Sequence, residues 1–173
     1  NERIPWELPP EIARVEVRDP PAHAEGNIPA LHSWSPDRPS GQHAWHILGN
    51  GRLSSRIRTD GAGGLSWNQH ALTRIEPADD HAGFWLYLHD LDQGDFWSAT
   101  GGPFPAIGEP PEVMFHAHQV EFRQRSRGLS ISTLVNVAHG DDLEIRRIAL
   151  VNEEDRARTI ELTGYVQVVL APP

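Results

Sequence analysis

The sequence predicts an all-β fold, an antiparallel β-sandwich preceded by an irregular proline-rich arm. Three observations carry that reading. From His46 onward, runs of five to nine residues alternate apolar and polar side chains, the period of a strand with one buried face. Turn-forming clusters such as Gly49-Asn50-Gly51 and Gly61-Ala62-Gly63-Gly64 separate those runs. No stretch shows a helical period, so the strands must bury their apolar faces against other strands.

Length and composition bound the rest. The 173 residues suffice for one domain with a real core but not for two comfortable ones. With 24 acidic and 15 basic residues the formal net charge is −9, which argues against nucleic acid, whose binding relies on basic contacts to phosphate. All the basic residues are arginine, a bias we attribute to base composition. Cysteine is absent, so disulfides, thiolate metal sites and thiol nucleophiles are excluded, in keeping with a reducing compartment. No apolar run approaches the roughly 18 residues that span a bilayer, and the N-terminus has no signal-peptide pattern. We therefore expect no direct membrane span. The ending Ala171-Pro172-Pro173, directly after an apolar strand, leads us to expect a piece of a longer protein.

Taken in order, residues 1–44 carry Pro5, Pro9, Pro10, Pro20, Pro21, Pro29, Pro36 and Pro39 and no sustained periodicity. They read as an extended arm with a short strand at Ala13–Val17, pinned by Trp6, Trp34 and Trp45. Residues 45–173 read as the sandwich. Leu53, Ser55, Ile57 and Thr59 share one strand face. Trp85-Leu86-Tyr87-Leu88 makes another strand, with Trp85 and Tyr87 opposite Leu86 and Leu88. Val120 and Phe122 alternate with Glu121, Arg123 and Arg125 before the turn Ser126-Arg127-Gly128. Leu129, Ile131, Thr133, Val135 and Val137 form the next apolar face, closed by His139-Gly140-Asp141-Asp142. Leu143 and Ile145 then begin a strand whose apolar phase slips to Ile148 and Leu150, which predicts a β-bulge at Arg146-Arg147. After a polar turn at Asn152–Arg156, the last strand buries Ile160, Leu162, Val166, Val168 and Leu170, with Gly164 in phase.

Several motifs invite a chemical reading. His116-Ala117-His118-Gln119-Val120-Glu121 resembles a metal-ligand run, but strict alternation sets Glu121 on the face opposite both histidines, which leaves exposed strand histidines. Asp90-Leu91-Asp92-Gln93-Gly94-Asp95 starts like a calcium loop and lacks the acid at its twelfth position, Gly101, so a hairpin turn is the simpler reading. The pairs Asp79-Asp80, Asp141-Asp142 and Glu153-Glu154 are adjacent acids in polar turns, whereas glycoside chemistry needs two acids facing a bond across several ångströms. We expect no catalytic residue, metal or cofactor. Tryptophan rings can pack on the C–H faces of sugars, while filling the sandwich is the commoner use of such a side chain.

From Leu48 onward the sequence resembles the N-terminal β-sandwich of glycoside hydrolase family 94, the former family 36 glycosyltransferases. The residues that carry the resemblance begin with Gly49-Asn50-Gly51-Arg52, Thr59-Asp60-Gly61-Ala62-Gly63-Gly64-Leu65-Ser66-Trp67 and Leu72-Thr73-Arg74. They continue with Gly83-Phe84-Trp85-Leu86-Tyr87-Leu88-His89-Asp90, Gly94-Asp95-Phe96-Trp97-Ser98 and Asp142-Leu143-Glu144-Ile145-Arg146-Arg147. Leu150-Val151-Asn152, Arg158-Thr159-Ile160-Glu161-Leu162-Thr163 and Tyr165 to Leu170 close the series. The cyclic β-1,2-glucan synthase branch is the better match, on Asn-Gly-Arg, Leu-Thr-Arg and Glu-Ile-Arg-Arg. Inverting disaccharide phosphorylases of the cellobiose and chitobiose type are the alternative.

The resemblance implies a galactose mutarotase-like supersandwich, of which this chain covers about the first half. It implies a catalytic (α/α) barrel elsewhere in the parent chain, and sandwich loops that touch sugar. The matching positions are Asp79 to Phe84 and the turn from Gly61 to Trp67. The expected carbohydrate-binding set is therefore Trp67, Arg74, Asp79, Asp80, His81, Phe84, Trp85 and Trp97. Departures from the family fall at Leu65, Ala82, Phe84, Gly102-Pro103 and Gln167, and they remove polar and aromatic contacts. The implied role is a non-catalytic module that binds a β-glucan oligosaccharide or serves as a scaffold, on the cytoplasmic side of a bacterial inner membrane. A sheet that continued past Leu170 would leave unpaired edges, from which we expect self-association.

Overall fold

The computed structural model describes residues 33–36, 43–74, 82–105, 108 and 110–172, all within the unit Leu31–Pro173. The expected strand at Ala13–Val17, Trp6, and the loop residues Asp79, Asp80 and His81 lie outside the described residues. Twelve strands follow one another: β1 (Trp45–Gly49), β2 (Leu53–Arg58), β3 (Gly63–Trp67), β4 (His70–Thr73), β5 (Phe84–Asp90) and β6 (Asp95–Ser98), then β7 (Glu112–Phe115), β8 (Gln119–Ser126), β9 (Leu129–Val137), β10 (Glu144–Asn152), β11 (Ile160–Val166) and β12 (Val168–Ala171). Among the described residues there is no helix, and none that could cross a membrane.

All the strand pairings are antiparallel. One layer is the sheet β10-β9-β8-β7. The other comes in two pieces, β1-β2-β3-β4-β12 and β11-β5-β6. Two apolar cores show how these pieces pack. Leu48 and Ile57 meet Val113, Phe115, Val120, Phe122 and Val135. Leu86, Leu88, Trp97 and Ala99 meet Leu129 and Ile131. The four-stranded sheet thus covers both smaller pieces with one face, and the alternation in β2, β8 and β9 exists because only that face is buried. The final strand stitches the two pieces together: β11 pairs with β5 and β12 with β4, and the Arg74 amide donates to the Gln167 carbonyl at 3.0 Å between them. At the arm, Trp34 forms a bridge to Phe115, their rings edge-on at 4.9 Å.

Local turns follow the sequence chemistry. Arg127 and Gly128 have φ of 46° and 73°, the geometry of a two-residue hairpin turn whose twist matches its strands. Asp90 closes the β5–β6 turn by accepting from the amides of Asp92 and Gln93 at 2.9 and 3.2 Å, so the stretch that starts like a calcium loop is a hairpin.

Three expectations are corrected. First, β10 pairs with β9 without interruption from Glu144↔Val137 to Asn152↔Leu129, so there is no bulge at Arg146-Arg147. The apolar phase slips because Glu144 and Arg146 occupy inward positions, while Ile145 points outward and is 48% exposed. Second, the last strand is two, β11 and β12, and it buries its apolar side chains only in part: Ile160 packs against the core and Val166 is half-buried. Leu162 on β11 and Val168 and Leu170 on β12 are exposed, since both strands lie at sheet edges and no described strand pairs with their outer sides. Third, His116 and His118 sit in the β7–β8 turn and not in a strand. Alternation does not apply there, and the turn brings His116 Nε2 to 3.9 Å from Glu121. No group of metal-ligating side chains forms among the described residues.

Candidate functional site

The inward face of β10 builds the site. Glu144 and Arg146 are two residues apart on one strand, so both point between the layers. Glu144 accepts from the Ser55 hydroxyl of β2 at 2.5 Å and from Arg146 Nε at 2.7 Å. Arg146 also donates to the Phe84 carbonyl at 2.9 Å, and its guanidinium lies 4.6 Å from the centre of the Phe84 ring. Both charged side chains are largely buried, which is tolerable only because they pair and hydrogen-bond. Gly64, Leu65, Thr73 and Phe84 close a cavity of about 40 Å³ around them.

Two residues farther along the same faces, the site reaches the rim. Register puts Leu53 opposite Trp67, one step from the Ser55↔Leu65 pair, and Asp142 precedes Glu144 by the same step. Trp67 donates its indole N–H to Asp142 at 2.7 Å, and Arg52 Nε donates to the other carboxylate oxygen at 3.0 Å. Asn50 bonds to the Ala138 and Asp141 carbonyls at 3.1 and 2.9 Å, while its own oxygen accepts from the amides of Arg52 and Leu53. The hydrogen bond from Trp67, together with those from Arg52 and Asn50 and the Arg52 charge, holds the Asp142 carboxyl below the usual carboxylate range. With its N–H anchored, the Trp67 ring is still 39% exposed and offers a face to a ligand.

The expected binding residues divide accordingly. Trp67 and Phe84 belong to this site. Arg74 is exposed just after β4. Trp85 and Trp97 are only 1% and 2% exposed. Trp97 fills the core between layers, while Trp85 lies on the opposite face of β5, where a Cβ built at Gly83 would meet its ring at 3.2 Å. Tyr87 shares that face and stacks on Phe96 at 5.3 Å. Asn50, Arg52, Asp142, Glu144 and Arg146 escaped the sequence reading as site residues. Two charges in the apolar phase of β10 were the available signal.

The sequence model of the "Glycosyl hydrolase 94, supersandwich domain" matches residues 33–173. The chain is similar to cyclic beta-(1,2)-glucan synthase NdvB of Rhizobium meliloti (strain 1021), 36% identical over 127 residues, which cover 72% of this chain and 4% of that protein. It is also similar to N,N'-diacetylchitobiose phosphorylase of Vibrio furnissii, 28% identical over 139 residues, covering 75% of this chain and 17% of that protein. The Vibrio proteolyticus protein of the same name is 27% identical over 139 residues, with the same shares. The chain spans a small fraction of the length of each of these relatives.

Proposed function

The chain belongs to the glycosyl hydrolase 94 family, as a supersandwich domain, and from that membership we propose that it is the non-catalytic glucan-positioning module of a cyclic β-1,2-glucan synthase-like enzyme. In this reading it borders the glucan site of a catalytic (α/α) barrel, on the cytoplasmic side of a bacterial inner membrane. The observation that carries it is the inward turn of Glu144 and Arg146. Two charges are held between the layers beside Phe84, one strand step from the half-exposed Trp67 and its partner Asp142. A ring face next to oriented polar groups suits a sugar, whose C–H face and hydroxyls need both. The segment Asp79–His81 directly precedes this site in sequence, and with Arg74 it completes the proposed sugar-contacting set. Buried Trp97 lies in the core against which Phe84 packs, and Trp85 completes the proposed set from the other face of β5.

The domain does no chemistry in this reading. Glu144 is paired with Arg146, a role that holds a charge in place and does not present it as an acid to a scissile bond. A second reading, the accessory domain of an inverting phosphorylase, draws on the likeness to the two chitobiose phosphorylases. Titration with linear and cyclic β-1,2-glucan, followed by NMR, tests the proposal. Saturable shifts at Trp67, Phe84 and Arg146 are expected. No response at millimolar glucan would leave a scaffold, and N,N'-diacetylchitobiose shifting the same residues in place of glucan would favour the phosphorylase reading.

A further inference from the structure

Alternate residues of β10 point to the other side of the four-stranded sheet, where a broad depression lies. It measures about 440 Å³, within the range of small-ligand sites. Arg123 and Arg125 of β8, Ser130 and Ser132 of β9, and Ala149 and Val151 of β10 line it. Register sets them side by side: Arg123↔Ser132↔Ala149 and Arg125↔Ser130↔Val151 are two rungs across three strands. Each rung therefore runs from a guanidinium through a hydroxyl to an aliphatic side chain. Pro110 and Glu112 stand at the β7 side.

The charge pattern selects the ligand. Arg123 donates to both oxygens of Glu121 at 2.7 and 3.1 Å, and Arg125 donates to Glu153 at 2.7 Å. Ser130 donates to the same Glu153 oxygen at 2.5 Å. Two guanidinium groups thus meet three carboxylates, counting Glu112, and the groove has no net attraction for an anion. What remains is a planar array of spare N–H groups, carboxylate lone pairs and hydroxyls, with an aliphatic wall opposite. We propose that this outer groove is a second saccharide-binding site, taking a short neutral oligosaccharide with its hydroxyls on the Arg–Ser side and a C–H face on Ala149 and Val151. The proposal rests on the glucan-handling reading above and adds a separate contact, on the opposite side of the sheet from Trp67. One sheet then holds a glucan chain at two points.

Backbone-amide NMR of the whole chain during titration with linear β-1,2-glucan tests it. Ser130, Ser132, Ala149 and Val151 should shift and saturate with a midpoint of their own. Ala149→Trp, which fills the groove from an exposed position, should abolish those shifts and leave those at Trp67 and Phe84. Arg123→Gln, a milder change at an exposed side chain, should weaken the groove midpoint roughly tenfold. Shifts confined to Trp67, Phe84 and Arg146 would overturn the groove while leaving the site between the layers intact. Shifts confined to the groove would support it and remove the other site. Inorganic phosphate shifting the groove where glucan does not would overturn the neutral-ligand assignment, and silence at both places would overturn both.

Discussion

Trp67 and Asp142 lie 75 residues apart in sequence, and their hydrogen bond reports on the rim of the site. The folded Asp142 carboxyl titrates below its unfolded value of about 3.9. Its contribution is therefore complete above that pH and is lost as pH falls through the lowered folded value. The Trp67 indole proton should stay constant from neutrality down to about pH 4 and move only below it. A midpoint at or above the ordinary aspartate value would show the bond to be absent. One glycine is equally specific: Gly63 has φ of 155°, and a Cβ there would sit 1.9 Å from the Arg56 carbonyl oxygen. Gly63→Ala should cost at least about 2 kcal/mol in urea unfolding, through backbone strain and overpacking. For the buried pair, Glu144→Ala or Arg146→Ala alone should each cost on the order of 3 kcal/mol, because each strands the other charge. The double variant should cost less than the sum of the two.

At the scale of elements, Arg158 joins the layers just before β11. It pairs with Asp90 of β5, both side chains being essentially inaccessible, and donates to the Arg127 carbonyl in the β8–β9 turn. Burial alone would raise the Asp90 carboxyl, but the Arg158 hydrogen bonds, the amides of Asp92 and Gln93 and the guanidinium charge hold it below the usual range. Arg158→Met should cost about 3–5 kcal/mol at neutral pH. That penalty should shrink as pH falls below the unfolded value and Asp90 is protonated, and a penalty that grew on acidification would refute the pairing. The strands themselves were legible wherever one face was mostly apolar and free of charge, as in β8 and β9. In β10 the same rule misled: Glu144 and Arg146 broke the apolar phase and suggested a bulge. Their partners, Ser55 and Phe84, are 89 and 62 residues away, beyond anything a local period reports.

At the scale of the molecule, the described sandwich is open where β10 and β11 form its edges. Leu150 on β10, Leu162 on β11 and Val168 and Leu170 on β12 are exposed apolar side chains on strands that each edge a sheet. Such edges favour association of the isolated chain. Sedimentation should show dimers or larger species that dissociate on dilution, and Leu162→Lys with Val168→Lys should return the chain to monomer. A wild-type monomer across the whole concentration range would sink the idea.

The sequence by itself determined the all-β class, the hairpin turns and the family, because these depend on short-range alternation, turn chemistry and ordered motifs. Only the tertiary structure decided which tryptophans are buried, that the last strand lies at an edge, and that Glu144 and Arg146 turn inward as a buried pair beside Ser55 and Phe84. Period-two patterning states which side chains share a face, but not what stands opposite that face. That depends on contacts between strands far apart in the chain.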